Sequence, residues 1–371
     1  MSSERRFLVY RDLIGAPSEI SFLRRQYVGF TKLRPVWIGR TIRPGAAALG
    51  SPLLRLGGEG PVGPVRRLLF RYGLAVPSID GPFAPIIHAQ FARGGALALP
   101  LARSIGGAGL VVTLHGGDVS KQKNWHRTVL AARWPDLVRQ TAWFVCVSQA
   151  VAAIARARGV PDDKLLVLPI GAEMPASPPE RRPRHYLFVG RFVEKKGITV
   201  LADAMRRLRA GGDMTPLMCV GNGPLRPALE VLAAEIPGIA LTGWLRPDAV
   251  ADRMRQAVAL VVPSVVASDG DAEGLPSVIP EAMAQGCPVI ASDQGGMAEA
   301  ITDGAGLLVP PNDAGALAEA MRGLSADPSL AERIGLAGFA HAQRTLNAGL
   351  QSAKLESLLL DVADRQQKAG R

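Results

Sequence analysis

The chain has 371 residues, of which 48% are hydrophobic and 20% are charged. This length and apolar content exclude a disordered tail, a collagen-like fibre and a small disulfide-held domain, and they favour two domains over one. The formal net charge of +11 is uneven, because residues 1–172 hold 23 Lys+Arg against 9 Asp+Glu, whereas residues 173–371 hold 20 against 23. Nucleic acid, an anionic membrane surface, an anionic substrate and a plain compositional bias towards arginine each explain such an excess.

Short apolar stretches alternate with helical patterns along the first half of the chain. They predict strands at 6–11, 35–39, 85–90, 110–116 and 143–148, with helices such as 94–105 and 149–158 between them. Residues 40–84 are rich in Gly, Pro, Arg and Leu and fit a basic, partly amphipathic surface. Continuous apolar strands separated by helices indicate a parallel sheet covered on both faces.

The second half repeats this alternation. Predicted strands lie at 185–190, 216–221, 239–244, 259–264, 287–292 and 306–310, and predicted helices at 196–210, 224–235, 247–257, 277–286 and 314–323. The segment 174–184, MPASPPERRPR, has four prolines and no apolar period, so it is predicted to be a linker. We therefore expect a first domain at 1–173, a second at 185–343, and a C-terminal helix within 344–371 that packs back on the first.

Cys146, Cys219 and Cys287 lie far apart in the sequence, inside apolar segments. Without a CxxC pair, they are predicted to be buried, inert thiols that form neither a disulfide nor a metal site. The N-terminal MSSERRFLVY lacks the apolar region of a secretory signal. Apolar runs are interrupted well before the ~18 residues of a membrane span, so none is predicted.

Residues 272–296, AEGLPSVIPEAMAQGCPVIASDQGG, carry the strongest pattern in the chain. Glu273 and Glu281 flank a glycine-containing turn, Gly274-Leu275-Pro276, that leads into a helix predicted to start near Ser277. Free amides at a helix start favour a diphosphate, and glycine allows a ligand to approach the backbone. Glu281 is placed to accept hydrogen bonds from a ribose diol, and Glu273 from a sugar hydroxyl.

Three other segments have polar or glycine residues where a strand ends: GRFVEKKG (190–197), GNGP (221–224) and HGGD (115–118). Ligands of α/β proteins bind outside the carboxyl ends of parallel strands. Arg191 and Lys196 would suit a diphosphate there, because a guanidinium and an ammonium both pair with phosphate oxygens.

Together these segments resemble the Glu-x7-Glu signature and accompanying motifs of retaining GT-B glycosyltransferases of family 4, over residues 85–325. The resemblance implies two Rossmann-like domains whose parallel sheets face each other across a cleft. It also implies a nucleotide-diphosphate sugar donor held by the second domain. The implied donor residues are Gly190, Arg191, Lys196, Gly221, Gly223, Trp244, Leu245, Glu273, Gly274, Leu275, Pro276 and Glu281.

The same resemblance assigns His115 a place beside the reacting sugar. It makes His115, Glu273, Arg191 and Lys196 the catalytic set, and it suggests Asp118 and Gly116 for the acceptor. Asp269 and Asp271 are possible metal ligands in principle, but we interpret them as loop carboxylates, and neither metal nor cofactor is expected. A same-face attack on the anomeric carbon is implied, with the departing phosphate taking the acceptor's proton.

The predicted function is therefore retaining hexosyl transfer from a UDP-, GDP- or ADP-sugar to a glycan, in exopolysaccharide or cell-envelope synthesis. A non-hydrolysing sugar-nucleotide epimerase is the alternative on the same architecture. A basic nucleic-acid-binding protein is the remote alternative, and no zinc spacing or basic recognition helix supports it. The basic first half favours a polyprenyl-diphosphate-linked acceptor at an anionic membrane, so we expect a cytoplasmic enzyme that is peripheral to the inner face of the plasma membrane.

Overall fold

The computed structural model describes residues 5–16, 19–58, 60, 62–72, 79, 81–105, 107–126 and 128–369. The chain divides into two compact units, one formed by residues 1–170 with 348–371 and the other by residues 171–347. None of the described helices is both long enough and apolar enough to span a bilayer.

The first unit is built on a parallel sheet of seven strands in the order β5-β3-β1-β6-β7-β8-β9, with a small parallel pair, β2-β4, beside it. Its strands are β1 Arg5–Tyr10, β2 Leu13–Ile14, β3 Leu33–Gly39, β4 Thr41–Ile42, β5 Leu53–Arg55, β6 Phe83–Gln90, β7 Gly109–Leu114, β8 Thr141–Cys146 and β9 Leu165–Val167. Its helices are α1 Ile20–Arg25, α2 Gly63–Tyr72, α3 Ala92–Ser104, α4 Gly117–Ser120, α5 Val129–Gln140, α6 Gln149–Ala157 and α14 Ala348–Ala369.

The C-terminal helix α14 is part of the first unit's core. Leu355 and Leu359 are buried in the same apolar cluster as Phe7 and Trp37. The carboxylate of the buried Glu356 accepts backbone N–H bonds from residues 31–33, at 2.7–3.1 Å, and so fixes α14 to the start of β3. Burial of this apolar face, rather than helix propensity alone, holds the last helix in place.

The second unit has a parallel sheet of six strands in the order β12-β11-β10-β13-β14-β15. Its strands are β10 His185–Val189, β11 Leu217–Val220, β12 Ile239–Gly243, β13 Ala257–Val262, β14 Val289–Ser292 and β15 Leu307–Val309. Its helices are α7 Ile198–Ala210, α8 Arg226–Glu235, α9 Pro247–Arg255, α10 Val278–Ala284, α11 Gly295–Ala300, α12 Ala314–Ala326 and α13 Pro328–Thr345.

The segment interpreted as a linker, 174–184, lies within this second unit. Its Arg182 and Arg184 donate backbone N–H bonds to the carbonyl oxygens of Arg255 and Gln256, at 3.0 and 2.8 Å. The sequence did not predict α13, and the predicted tail helix is divided between the end of α13 and α14. All three cysteines are buried, as predicted, and their thiols are free of disulfide bonds.

Each sheet reverses its strand order once, and a reversal of this kind opens a crevice at the carboxyl ends of the strands. In the first unit β1 lies between β3 and β6, and β7 follows β6. In the second unit β10 lies between β11 and β13. The loops after β6 and β7, and those after β10 and β13, carry most of the residues that the sequence singled out.

Candidate functional site

The loop after β10 lies at the strand-order reversal of the second unit. Residues Glu194–Lys196 form one turn of 3-10 helix, which Gly197 ends with φ +63°. A Cβ atom on Gly197 would overlap the carbonyl oxygen of Pro263, just after β13. Glycine at this position therefore lets the β10 loop lie directly against the β13 loop, which places the two lysines beside residues 264–274.

Glu273 lies between these two lysines. Its Oε1 atom is 3.2 Å from Nζ of Lys196 and 3.3 Å from Nζ of Lys195. Its side chain is only 11% exposed. Burial by itself raises the pKa of Glu273, but the charges of Lys196 and then Lys195 outweigh it and bring the pKa to about 2. Glu273 is therefore a carboxylate at neutral pH and has no proton to donate as a general acid.

The sequence missed Lys195 as a site residue. Its Nζ atom also lies 3.1 Å from Oδ1 of Asp271, and although burial lowers its pKa, Glu273 and Asp271 together raise it above the ordinary value. The two adjacent lysines of EKKG cannot be told apart in the sequence, and the tight 3-10 turn is what aims both at Glu273. Across the described residues, no three His, Cys, Asp or Glu side chains gather as a metal ion would require.

Further bonds fix the loop after β13 to the same turn. The carboxylate of Glu194 accepts from the backbone N–H and the hydroxyl of Ser268, at 2.9 and 2.8 Å. The carbonyl oxygen of Lys195 accepts from Val265 N–H at 2.8 Å. The hydroxyl of Ser264, two residues after β13, is buried and has no hydrogen-bond partner in the described part of the chain. It is a second polar group that the sequence did not single out.

The ends of β10, β11 and β12 meet through their backbones. Gly190 N–H donates to the carbonyl oxygen of Val220 at 2.9 Å, and Gly221 N–H donates to that of Gly243 at 2.8 Å. Gly221 has φ +137°, and a Cβ atom there would overlap the carbonyl oxygen of Gly190. Gly223 likewise lies directly against the backbone of Phe192. Both glycines are therefore needed for the close backbone packing, apart from any room that they leave for a nucleotide.

The remaining predicted donor residues occupy the same end of the second sheet. Arg191 follows Gly190, is exposed, and forms no salt bridge within the described ranges. Trp244 follows β12 and is 47% exposed, whereas Leu245 packs on the unit's core. Arg191 and Trp244 are therefore both accessible, at the ends of two strands that β11 separates.

Helix α10 follows the Gly274-Leu275-Pro276 turn. The carbonyl oxygen of Gly274 accepts from Gly296 N–H at 2.9 Å, and Leu275 packs on the core. Pro276 is buried, and Glu281 lies half-buried in the first turn of the helix. Because α10 has only seven residues, the dipole that it directs at this end of the sheet is short.

In the first unit, His115 directly follows β7 and lies against two aromatic rings. The ring of Phe91 lies 4.3 Å from it, centroid to centroid, and that of Phe22 lies 5.2 Å away. Burial, with a smaller contribution from the positive charge of Arg11, lowers the pKa of His115 to about 3. The imidazole is therefore neutral at physiological pH and offers one donor and one acceptor nitrogen.

The two predicted acceptor residues shape the turn after His115. Oδ1 of Asp118 accepts from the backbone N–H of His115 at 3.0 Å, and Oδ2 accepts from that of Ala92 at 2.8 Å. Gly116 has φ +115° and is the N-cap residue of α4. Because both carboxylate oxygens are bonded to backbone, Asp118 ties the start of α3 to the turn that holds His115.

A buried polar network lies behind His115, and the sequence missed it. Nε2 of His115 lies 2.9 Å from Oε1 of Gln90, and Nε2 of Gln90 donates to Oε1 of Gln26 at 2.7 Å and to the hydroxyl of Tyr27 at 2.8 Å. That hydroxyl lies 2.8 Å from Nδ1 of His88. The signal available in the sequence was PIIHAQ, in which two polar residues two apart interrupt an apolar strand and so share one face.

Phe91 is held in a strained conformation beside His115. Its φ of +67° is a genuine outlier for a bulky residue. The guanidinium of Arg11 lies 4.2 Å from the centre of the Phe91 ring and pairs with Glu19 at 2.8 Å, which keeps the ring in place. Backbone strain of this kind persists where the surroundings over-determine it, often at functional sites.

Two family models match the chain. "Glycosyl transferase 4-like domain" covers residues 29–171, and "Glycosyl transferases group 1" covers residues 183–327. Among curated proteins, the amylovoran biosynthesis glycosyltransferase AmsK of Erwinia amylovora is 30% identical over 78% of this chain and 75% of its own length. The putative colanic acid biosynthesis glycosyltransferase WcaL of Escherichia coli is 30% identical over 66% of this chain, and the match spans 62% of WcaL, less than two thirds of that protein.

Among solved structures, Anabaena Alr3699/HepE in complex with UDP superimposes with a TM-score of 0.76, covering 96% of this chain and 100% of HepE at 17% identity. The same protein in complex with UDP-glucose gives a TM-score of 0.75, at 17% identity and with the same coverage. At this identity the likeness establishes the fold, which is GT-B, as the sequence predicted.

Proposed function

Because the chain belongs to the glycosyl transferases group 1 family, we propose that it is a retaining, metal-independent hexosyltransferase with a nucleotide-diphosphate sugar as donor. The observation that carries the proposal is the contact of Lys196 and Lys195 with Glu273 at the strand-order reversal of the second sheet. Ammonium groups at this edge would pair with a diphosphate, and the ionised carboxylate between them would accept a hydrogen bond from a sugar hydroxyl.

The low pKa of Glu273 favours one role for it over another. A carboxylate neutralised by two lysines is a weak nucleophile, so we propose that it accepts a hydrogen bond from the sugar and does not attack the anomeric carbon. The acceptor hydroxyl then attacks on the face that the phosphate leaves. The bond from the anomeric carbon to the phosphate oxygen breaks, the new glycosidic bond forms, and the departing phosphate takes the hydroxyl proton.

The other residues have the roles that the family resemblance implies. Arg191 and Lys196 hold the diphosphate and stabilise the charge that develops on it. Glu281 binds the ribose, and Trp244 with Leu245 borders the base. His115, whose neutral imidazole donates through one nitrogen and accepts through the other, hydrogen-bonds the transferred sugar. HepE, which has the same fold, was solved with UDP and with UDP-glucose, and this supports a nucleotide diphosphate sugar as the donor.

For the acceptor we propose a glycan, or a lipid-linked oligosaccharide, of exopolysaccharide or cell-envelope synthesis. AmsK and WcaL, by their names, act in the biosynthesis of amylovoran and colanic acid. The excess of 14 positive charges in residues 1–172 (23 basic against 9 acidic) favours an anionic acceptor and an anionic membrane surface around it.

A thermal-shift screen against UDP, GDP, ADP and their common sugars tests the donor site. We expect one base to raise the melting temperature, and Lys196→Ala or Glu281→Ala to abolish that rise. Arg206→Ala is the matched control, because Arg206 is an exposed cation of the same unit on α7. The anomeric configuration of the product, read by NMR, tests retention: an inverted product, or no nucleotide binding with any base, would contradict the proposal.

A further inference from the structure

Helix α2 has a second apolar face, turned away from the protein. Phe70 is fully buried, with its ring 6.2 Å from that of Tyr10. Val65, Leu68 and Tyr72 are 58%, 53% and 59% exposed, and at 3.6 residues per turn they lie about 140–160° around the helix from Phe70. Val62, just before the helix, extends the stripe at 52% exposure. An exposed apolar stripe of this length is a feature of interaction surfaces.

Arginines border this stripe. The helix contains Arg66, Arg67 and Arg71 and no acidic residue. By the helical period they lie between the buried face and the apolar stripe, with Arg66 on one side and the other two on the opposite side. An apolar face flanked by arginines is the pattern of a helix that lies in a membrane interface, where guanidinium groups reach lipid phosphates while aliphatic side chains enter the acyl boundary.

A cavity adjoins one end of the stripe. It has a volume of about 280 Å³ and is lined by Arg71, Tyr72, Arg93, Asn124, Thr128, Val129 and Leu130, with no carboxylate among them. The Nε atom of Arg71 is buried and has no hydrogen-bond partner among the described residues. Two of these lining residues carry a guanidinium group, and guanidinium groups suit a phosphate.

The cavity is connected to the turn that holds His115. The side-chain amide of Asn124, one of the lining residues, donates to the carbonyl oxygens of Gly117 and Asp118 at 3.0 and 3.1 Å. A phosphate bound between Arg71 and Arg93 would therefore lie on the same loop system as the proposed sugar-binding histidine. This is the position expected for the phosphate end of a lipid-linked molecule whose tail lies along α2.

We propose that α2 and this cavity dock the protein on an anionic bilayer, with the stripe of Val62, Val65, Leu68 and Tyr72 in the acyl boundary and a lipid phosphate between Arg71 and Arg93. This inference rests on the proposed function in one respect: the proposed acceptor is carried by a membrane lipid. A second copy of the chain is a poorer occupant, because a two-fold contact on α2 would oppose arginines to arginines. Nucleic acid would not require the exposed aliphatic residues.

Co-sedimentation with vesicles tests the proposal. The vesicles are phosphatidylcholine alone, or an equimolar mixture with phosphatidylglycerol. We expect the protein to bind the mixed vesicles at ~0.1 M salt and to be released at ~1 M, where the Debye length falls to ~3 Å. Leu68→Glu or Val65→Glu should weaken binding about tenfold or more, and Arg71→Gln about fivefold.

Val231→Glu is the matched control, because Val231 is 59% exposed on α8 of the second unit, and it should bind vesicles as the unaltered protein does. Nucleotide binding, measured on all variants by thermal shift, should not change. This second measurement separates the two proposals, since loss of vesicle binding with retained nucleotide binding concerns α2 alone.

Four outcomes would overturn the docking proposal. One is no binding of the unaltered protein to the mixed vesicles at low salt, and another is undiminished binding of Leu68→Glu and Val65→Glu. The third is binding of inorganic phosphate, equal in the unaltered protein and Leu68→Glu, without vesicle binding, which would make the cavity a site for free phosphate. A concentration-dependent dimer that Leu68→Glu abolishes would assign the stripe to a second copy instead.

Discussion

Nε2 of His115 lies 2.9 Å from Oε1 of Gln90, whose own amide nitrogen donates to Gln26 and Tyr27. An amide oxygen only accepts, so the proton of the neutral imidazole is on Nε2 and the lone pair is on Nδ1. Gln90 is fully buried, at the carboxyl end of β6. It is therefore a positioning residue that sets the tautomer and the ring orientation of His115.

Gln90→Leu tests this role. Without the Gln90 oxygen, the preference of His115 for this tautomer falls by about 1 kcal/mol. The buried polar groups of Gln26 and Tyr27 lose their partner, which lowers the free energy of unfolding by about 2–3 kcal/mol. We expect kcat for glycosyl transfer to fall about fivefold or more, with nucleotide affinity unchanged because the donor residues lie in the other unit.

Gln26→Leu is the control for Gln90→Leu. Gln26 is a buried member of the same network, but its side chain accepts from Gln90 and forms no hydrogen bond with His115 within the described ranges. It should lose comparable stability and keep its kcat. An equal loss of kcat in both variants would show that the network matters only for folding.

His88 and His115 predict how stability depends on pH. Burial lowers the pKa of each to about 3, from an ordinary value of 6.5. Because the folded pKa is the lower one, their stability contribution is complete above pH 6.5 and is lost as the pH falls towards 3, by about 1.4 kcal/mol per pH unit for each histidine. Urea unfolding at a series of pH values should show this slope, and His88→Gln should remove one histidine's share.

The control for His88→Gln is His126→Gln, because His126 is exposed. It should leave the slope of unfolding free energy against pH as it is. A His88→Gln slope equal to that of the unaltered protein would mean that His88 takes up a proton within the folded structure.

The sequence predicted the alternating strands and helices of both sheets better than the polar networks. The family resemblance assigns Lys196 and Glu273 to one catalytic set, and in the structure Nζ of Lys196 lies 3.2 Å from Oε1 of Glu273. Lys195 was missed because neighbouring lysines differ only through the 3-10 turn, a geometry that no residue pattern specified. The apolar periodicity of a sequence indicates which residues are buried, but it does not indicate which buried polar atoms form hydrogen bonds with each other.

Asp118 shows a different limit of sequence reasoning. Its position in HGGD suggested a ligand contact, yet both of its carboxylate oxygens accept backbone N–H bonds. One partner, His115, is three residues away, but the other, Ala92, lies in a different strand-to-helix turn. The contact with Ala92 forms because β6 and β7 are neighbours in the sheet. It could not be predicted from the residues around Asp118 alone.

Glu273 predicts a separate acid transition in the second unit. Its folded pKa of about 2 is below the ordinary 4.5, so the ion pairs with Lys195 and Lys196 stabilise the fold fully above pH 4.5. This contribution, about 3 kcal/mol, is lost as the pH falls from 4.5 through 2. Glu273→Gln should flatten that part of the acid unfolding curve and also weaken donor binding. An unchanged curve would show that the carboxylate gains nothing from the two lysines.

Gly221→Ala tests whether the close backbone contact between the ends of β10 and β11 supports the donor site. A Cβ atom at this position would overlap the carbonyl oxygen of Gly190, and φ is +137°. The matched control is Gly212→Ala, because Gly212 has φ +84° with no other atom within 4 Å of an added Cβ. In the control, the free energy of unfolding should fall only by the cost of placing alanine in a left-handed conformation, about 1–2 kcal/mol.

Gly221→Ala should lose more than that, because the β11 turn must also move away from Gly190, which shares its loop with Arg191. We therefore expect nucleotide affinity to fall about tenfold in Gly221→Ala and to stay unchanged in Gly212→Ala, both measured by calorimetry with the nucleotide that binds. Equal affinities would mean that the two strand ends can separate without disturbing the diphosphate residues, and the glycine would then serve folding alone.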